Sequence, residues 1–203
     1  MLNIAVMVSG GGTNLQALLD AQARGELKSG RIALVVSSKE GAYALTRARA
    51  AGVETAVLAR GEGETPSAYG QRLVALLRAH RIGLVVLAGF MLILDECVVN
   101  AYEGRILNVH PSLIPAFCGE GYYGLRVHRA ALERGVKVTG ATVHIVNAIP
   151  DGGEILLQKA VAVCPGDTPE ALQRRVMEEA EWQLLPQAAE MLSAEIVKER
   201  ESV

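Results

Sequence analysis

The sequence predicts an α/β fold: a doubly wound, mostly parallel sheet with an antiparallel strand pair in its C-terminal half. Three observations predict it. Apolar runs of strand length alternate with runs of helical spacing through the first half of the chain. Residues 84–88 are almost continuously apolar, the pattern of a strand covered on both faces. Residues 138–146 and 155–163 are strand-like with no helix between them, so they should pair antiparallel.

Each element follows in order. Residues 3–8 form the first strand and run into Ser9-Gly10-Gly11-Gly12-Thr13-Asn14, after which Leu15, Leu18 and Leu19 recur at helical spacing. Residues 32–36 are the second strand. A helix over 42–51 is closed by Gly52, and 54–58 is a short strand. After a polar loop at 61–67, residues 68–80 form an amphipathic helix with Leu73, Leu76 and Leu77 inward, and 84–88 is the next strand. This alternation makes the N-terminal half Rossmann-like. The run Met91-Leu92-Ile93-Leu94 reads as core or as the wall of an apolar ring pocket. Residues 106–110 form a strand, and 111–124 a Pro/Gly/aromatic loop too long for a simple connector. Residues 127–134 form a short helix. Beyond the antiparallel pair, Asp167-Thr168-Pro169-Glu170 starts a helix with an Asp-x-x-Glu capping pattern. The helical stretch then runs to the end and should bend or break at Pro186.

Composition narrows the function. The 203 residues suffice for one domain, and 50% hydrophobic content supports a core. Lys and Arg number 20 against 22 Asp and Glu, without the basic excess of a nucleic-acid binder. The longest apolar run covers residues 82–94, short of the roughly 18 residues of a membrane span. Three cysteines without a Cys-x-x-Cys give neither a disulfide framework nor a zinc signature, and suit the cytoplasm. The chain opens directly on a strand-like run, so no signal peptide is expected. No His, Cys and carboxylate set has metal-ligand spacing, so no metal is expected.

Two motifs carry chemistry. The glycine loop joins a strand to a helix N-terminus, where free N–H groups and the helix dipole favour a phosphate. It lacks the Gly-Lys-Ser/Thr of a P-loop. It also lacks the third glycine and the acidic second-strand end of a dinucleotide site, so a monophosphate ligand fits better. In Leu107-Asn108-Val109-His110-Pro111-Ser112, Asn108 and His110 lie two apart and leave one face at a strand end. There both can donate hydrogen bonds to one oxygen. Asp151, before two glycines, reads on its own as turn chemistry. His80 ends a helix, His144 alternates within a strand, and His128 could line a pocket or cap a helix.

The glycine loop, Leu87-Ala88-Gly89-Phe90-Met91, Asn108-Val109-His110-Pro111-Ser112-Leu113-Ile114-Pro115 and Asp151-Gly152-Gly153 together resemble the phosphoribosylglycinamide formyltransferases, folate-dependent enzymes of purine biosynthesis. The resemblance covers essentially the whole chain. It implies transfer of a formyl group from 10-formyltetrahydrofolate, as co-substrate, to the amine of glycinamide ribonucleotide. It places the catalytic groups at Asn108, His110 and Asp151, and the ribonucleotide contacts at Gly12, Thr13, Asn14 and Glu181. The folate pocket falls at Met91, Leu92, Ile93 and Leu94, with Asn108 and the 146–151 turn. It implies a single domain over 1–203, with a phosphate-binding half (1–101) and a folate-binding and catalytic half (102–203). Partners are small molecules, with no nucleic acid or membrane, and the protein is a monomer or homodimer in the cytoplasm. An arginine that some members carry near the position of Pro66 has no counterpart here, Trp182 stands where a histidine often follows the acid, and the 117–124 loop is longer than in some members. Two other readings stay open: a formyltetrahydrofolate hydrolase, and a non-enzymatic binder of a phosphorylated metabolite.

Overall fold

The computed structural model describes residues 1–202. Its strands are β1 (Leu2–Val8), β2 (Gly30–Ser37), β3 (Glu54–Val57), β4 (Ile82–Leu87), β5 (Ile106–His110), β6 (Val138–Ile145) and β7 (Ile155–Ala162). Its helices are α1 (Thr13–Ala23), α2 (Tyr43–Ala50), α3 (Pro66–Ala79), α4 (Glu96–Ala101), α5 (Leu125–Arg134), α6 (Pro169–Val176) and α7 (Trp182–Glu201). A π-helical turn, Met177–Glu181, joins the last two. The strands form one sheet in the order β3-β2-β1-β4-β5-β6-β7. The pairings from β3 to β5 are parallel, and β6 runs antiparallel to both β5 and β7. The expected fold class holds.

The two-residue period of the strands divides the core. Ile4, Val6 and Val8 of β1 pack with Leu15 and Leu18 of α1 and Leu185 of α7 on one face. Ala5 and Met7 pack with Leu73 and Leu77 of α3 and Val98 of α4 on the other. Each fully buried leucine contributes about 1.5–3 kcal/mol against exposure. Helices on both faces leave the C-terminal ends of the parallel strands as the open edge, and both chemical motifs lie there.

Four local expectations are corrected. The α6 cap is Thr168, whose Oγ1 accepts from the Ala171 N–H. Asp167 instead accepts from Arg175 and from the Cys164 N–H. The last helical stretch does not break at Pro186, which lies inside α7. The irregularity is the π turn just before it. There Trp182, four residues ahead of the proline, has ψ −12°, which turns its carbonyl away from the ring that would clash with it. Helix α4 was not expected: six residues make under two turns, too few to show a period. Finally, the run 91–94 is only partly core: Met91 is 53% and Ile93 83% exposed, while Leu92 and Leu94 are half-buried against the second core face. No helix among the described residues is long and apolar enough to cross a membrane.

Candidate active site

Asn108 and His110 leave β5 on the same face, and the β6–β7 connection returns Asp151 to them. His110 Nδ1 lies 3.4 Å from Asp151 Oδ2, and Asn108 Nδ2 lies 3.5 Å from Asp151 Oδ1. Asp151 adopts φ 55°, a left-handed conformation that Asp and Asn tolerate better than most residues. Backbone from the long 111–124 loop closes the group. Phe117 O accepts from His110 Nε2 at 2.8 Å, and the Gly119 N–H donates to Asp151 Oδ2 at 2.9 Å.

His144, which local sequence pattern did not mark, also belongs to this group. The β5–β6 ladder pairs Asn108 with His144, so their side chains meet, with Nδ2 and Nε2 3.1 Å apart. His144 Nε2 is also 3.5 Å from Asp151 Oδ1, and the residue is 2% exposed. Knowing the antiparallel register would have found it. His128 is buried in α5 and neither caps that helix nor lines the cleft. Burial, then the neighbouring His110, push its pKa down to about 4, so it adds no charge at neutral pH.

Electrostatics oppose a charged His110 even beside Asp151. Two acceptors flank the ring, and only the imidazolium satisfies both. Burial opposes it and outweighs the raising effects of the Phe117 carbonyl and Asp151, so His110 sits below the ordinary imidazole value. Burial pushes the Asp151 carboxyl up. Hydrogen bonds from His144 and the Gly119 N–H, with the nearby histidines, outweigh it and hold the group below the usual carboxylate range.

Beside these groups opens a cleft of about 160 Å³. Phe90, Leu92, Ile93 and Leu94 line one wall and residues 146–151 the other, with Asn108, His144 and Asp151 at the polar end. Apolar walls with a few convergent polar groups suit a flat ring whose reactive end points at the polar side chains. Met91 is outside this lining; its backbone N–H donates to Ser9 Oγ.

A second polar cluster lies at the start of α1. Gly12, with φ 74°, is the N-cap, and no side chain caps the helix, so its first N–H groups remain available. Asn14 Nδ2 donates to Glu181 Oε2 at 2.6 Å in a buried contact. The π turn delivers Glu181 inward while Glu178 and Glu179 face solvent. Thr13 sits at the mouth, exposed, with Met177 beside its hydroxyl. Arg47, also not anticipated, donates through Nε to Gly11 O and brings positive charge to the loop. A Cβ on Gly12 would come within 2.6 Å of Ala44 Cβ, so this glycine serves α1–α2 packing regardless of ligand. A Cβ on Gly11 meets nothing within 4 Å. Gly11→Val therefore tests anion binding without disturbing the fold. We expect the KM for a phosphorylated substrate to rise about tenfold or more, as for loss of one charge-assisted hydrogen bond. Thermal stability should stay unchanged; a parallel loss of stability would point to misfolding instead.

Both clusters draw on both halves of the chain, since Glu181 reaches the glycine loop and Phe90, Leu92, Ile93 and Leu94 wall the cleft beside Asn108.

A sheet of this order, with an Asn, His and Asp group at its open edge, defines a class of group-transfer enzyme. The chain belongs to the formyl transferase family, whose model matches residues 2–189. Within that family it is similar to the phosphoribosylglycinamide formyltransferase of Escherichia coli, 42% identical over 86% of this chain and 80% of that one. It also matches, at 39% identity over 97% of its own length, 19% of the trifunctional purine biosynthetic protein adenosine-3 of Gallus gallus. The crystal structure of glycinamide ribonucleotide transformylase 1 from Symbiobacterium toebii superposes with a TM-score of 0.89. The two are 44% identical, over 96% of this chain and 88% of that one.

Proposed function

We propose that the chain transfers a formyl group from 10-formyltetrahydrofolate to the amine of glycinamide ribonucleotide in purine biosynthesis, with Asn108, His110 and Asp151 as its catalytic residues. The observation that carries this reading is the meeting of these three side chains at the polar end of an apolar cleft. The folate ring occupies the cleft between residues 92–94 and 146–151. The ribonucleotide phosphate sits on the N–H groups at Gly12, Thr13 and Asn14, and Glu181 accepts hydrogen bonds from the sugar.

The amine attacks the formyl carbon, and the carbonyl oxygen takes up negative charge. Donors fixed at that point provide the largest rate contribution. Asn108 Nδ2 lies 3.1 Å from His144 Nε2 and 3.5 Å from Asp151 Oδ1, and turns an amide N–H to the oxyanion. His110 exchanges the Phe117 carbonyl for the same oxygen. The attacking nitrogen must lose a proton and the leaving folate nitrogen must gain one. His110, with its depressed pKa, relays it beside Asp151 or a water that Asp151 holds. None of the three free cysteines lines the cleft, and direct transfer needs no covalent nucleophile. Both substrates are therefore bound together, as small-molecule partners of a cytoplasmic enzyme.

The test is acceptor dependence. Formyl loss from 10-formyltetrahydrofolate should require glycinamide ribonucleotide, and initial-rate plots for the two substrates should intersect. Formate released at the same rate without the ribonucleotide would favour a hydrolase.

A further inference from the structure

Ser9 and Ser38 directly follow the parallel neighbours β1 and β2, and Met91 lies just past β4 on the other side of β1. Both serines are buried. Their hydroxyl oxygens are 2.6 Å apart, and the Met91 N–H donates to Ser9 Oγ at 2.9 Å. Ser9 opens the glycine loop, and Met91 opens the run that walls the cleft. One hydroxyl pair thus touches the backbone of both candidate substrate sites.

The hydrogens can be counted. Ser9 accepts the Met91 N–H, and the two hydroxyls share one hydrogen between them. One hydroxyl hydrogen is left over, and neither serine oxygen has another hydrogen-bond partner among the described residues. The Ser38 N–H donates to Val8 O and the Ala44 N–H to Gly10 O, which lays the segment after β2 alongside the glycine loop. The spare donor therefore lies on a segment that flanks the glycine loop.

We propose that Ser9 and Ser38 are positioning residues that couple the two substrate sites. A bound phosphate accepts the spare hydrogen from Ser38. The chain then runs one way, from the Met91 N–H to Ser9, from Ser9 to Ser38, and from Ser38 to the phosphate. Aligned hydrogen bonds polarise and strengthen one another, so an occupied phosphate site holds Met91, and with it the cleft wall, more firmly. Folate binding is favoured once the ribonucleotide is in place, and the reverse holds equally. This inference rests on the proposed assignment of the two sites.

The experiment measures tetrahydrofolate affinity by calorimetry alone, with glycinamide ribonucleotide, and with its dephosphorylated nucleoside. Tetrahydrofolate carries no formyl group, so nothing reacts. In the wild-type protein the ribonucleotide should tighten folate binding about fivefold or more, the low end of measured site coupling, and the nucleoside should not. Ser38→Ala leaves the Ser9–Met91 bond in place. It should keep folate affinity alone within about twofold while the coupling falls to near unity. Ser9→Ala should weaken folate binding itself and also abolish coupling; if that variant does not fold, Ser38→Ala decides alone. A wild-type enzyme that formylates the ribonucleotide but shows no coupling overturns the proposal and leaves the function intact. So does a Ser38→Ala variant with full coupling. A wild-type protein that binds neither ligand overturns the site assignment instead.

Discussion

Asp151→Asn lowers turnover by about 10²- to 10⁴-fold, the range for loss of a positioned acid–base group, while the folate KM stays within a few-fold. The substitution is close to isosteric, and Asn accepts the φ of 55° that this turn position requires. The Gly119 N–H keeps an oxygen to donate to. What disappears is the charge 3.4 Å from His110 Nδ1. Burial already holds His110 below the ordinary imidazole value, and Asp151 is one of the two influences that raise it. Without the carboxylate the pKa of His110 falls further, and the ring takes up a proton from the attacking amine less readily. NMR titration of the imidazole in both proteins reads this shift directly. Removing His110 in the Asp151→Asn background should cost less than removing it alone, because groups acting as one unit are not additive. An unchanged His110 pKa with near-normal turnover would return Asp151 to the role of a turn residue.

How much of this site was legible in the sequence depends on which physical rule places each residue. Strand periodicity puts Asn108 and His110 on one face, and the sheet's topology puts that face at the open edge. The glycine loop is legible for a similar reason, since a strand, three glycines and a helix start are local features. Asp151 on its own reads as a turn residue. Only family resemblance linked it to His110, and the returning hairpin supplies the physical cause of their meeting. His144 depends on ladder register, which no local pattern carries. Arg47 and the Ser9–Ser38 pair meet their partners through side chains 29 or more positions apart, so linear spacing is silent about them. The run 91–94 misled because apolar composition does not distinguish a core from a cleft wall. Ile93 is 83% exposed beside the cleft, and an exposed apolar cluster of this kind marks a binding surface. The π turn also escaped notice, because an extra residue in a helical turn leaves no compositional trace.

Glu181→Gln should stabilise the ligand-free protein above neutral pH and weaken the ribonucleotide at the same time. Glu181 is 6% exposed, and among the described residues its carboxylate accepts one hydrogen bond, from Asn14. Burial pushes its pKa up from 4.5 to about 7, with the Asn14 hydrogen bond only partly opposing the rise. A carboxyl whose folded pKa lies above its unfolded value favours the folded state in its protonated form. That contribution is fully present below about pH 4.5 and is lost as pH rises through about 7. At pH 8.5 the buried charge costs about 3 kcal/mol. Gln pays no such cost and still accepts from Asn14, so Tm should rise by roughly 5–10 °C at that pH and hardly at all at pH 4. The charge is retained because the ligand uses it: a carboxylate accepting sugar hydroxyls makes charge-assisted hydrogen bonds. Losing them should raise the ribonucleotide KM about 10- to 100-fold with little effect on the folate KM. In the wild-type enzyme, kcat/KM for the ribonucleotide should fall as pH drops through about 7, and Glu181→Gln should remove that limb. Calorimetric scans at pH 4 and 8.5, with pH profiles of both enzymes, measure the two effects together. Equal Tm values at pH 8.5 would mean that Glu181 carries no buried charge. A wild-type pH profile retained in Glu181→Gln would assign the limb to another group, His110 first among them.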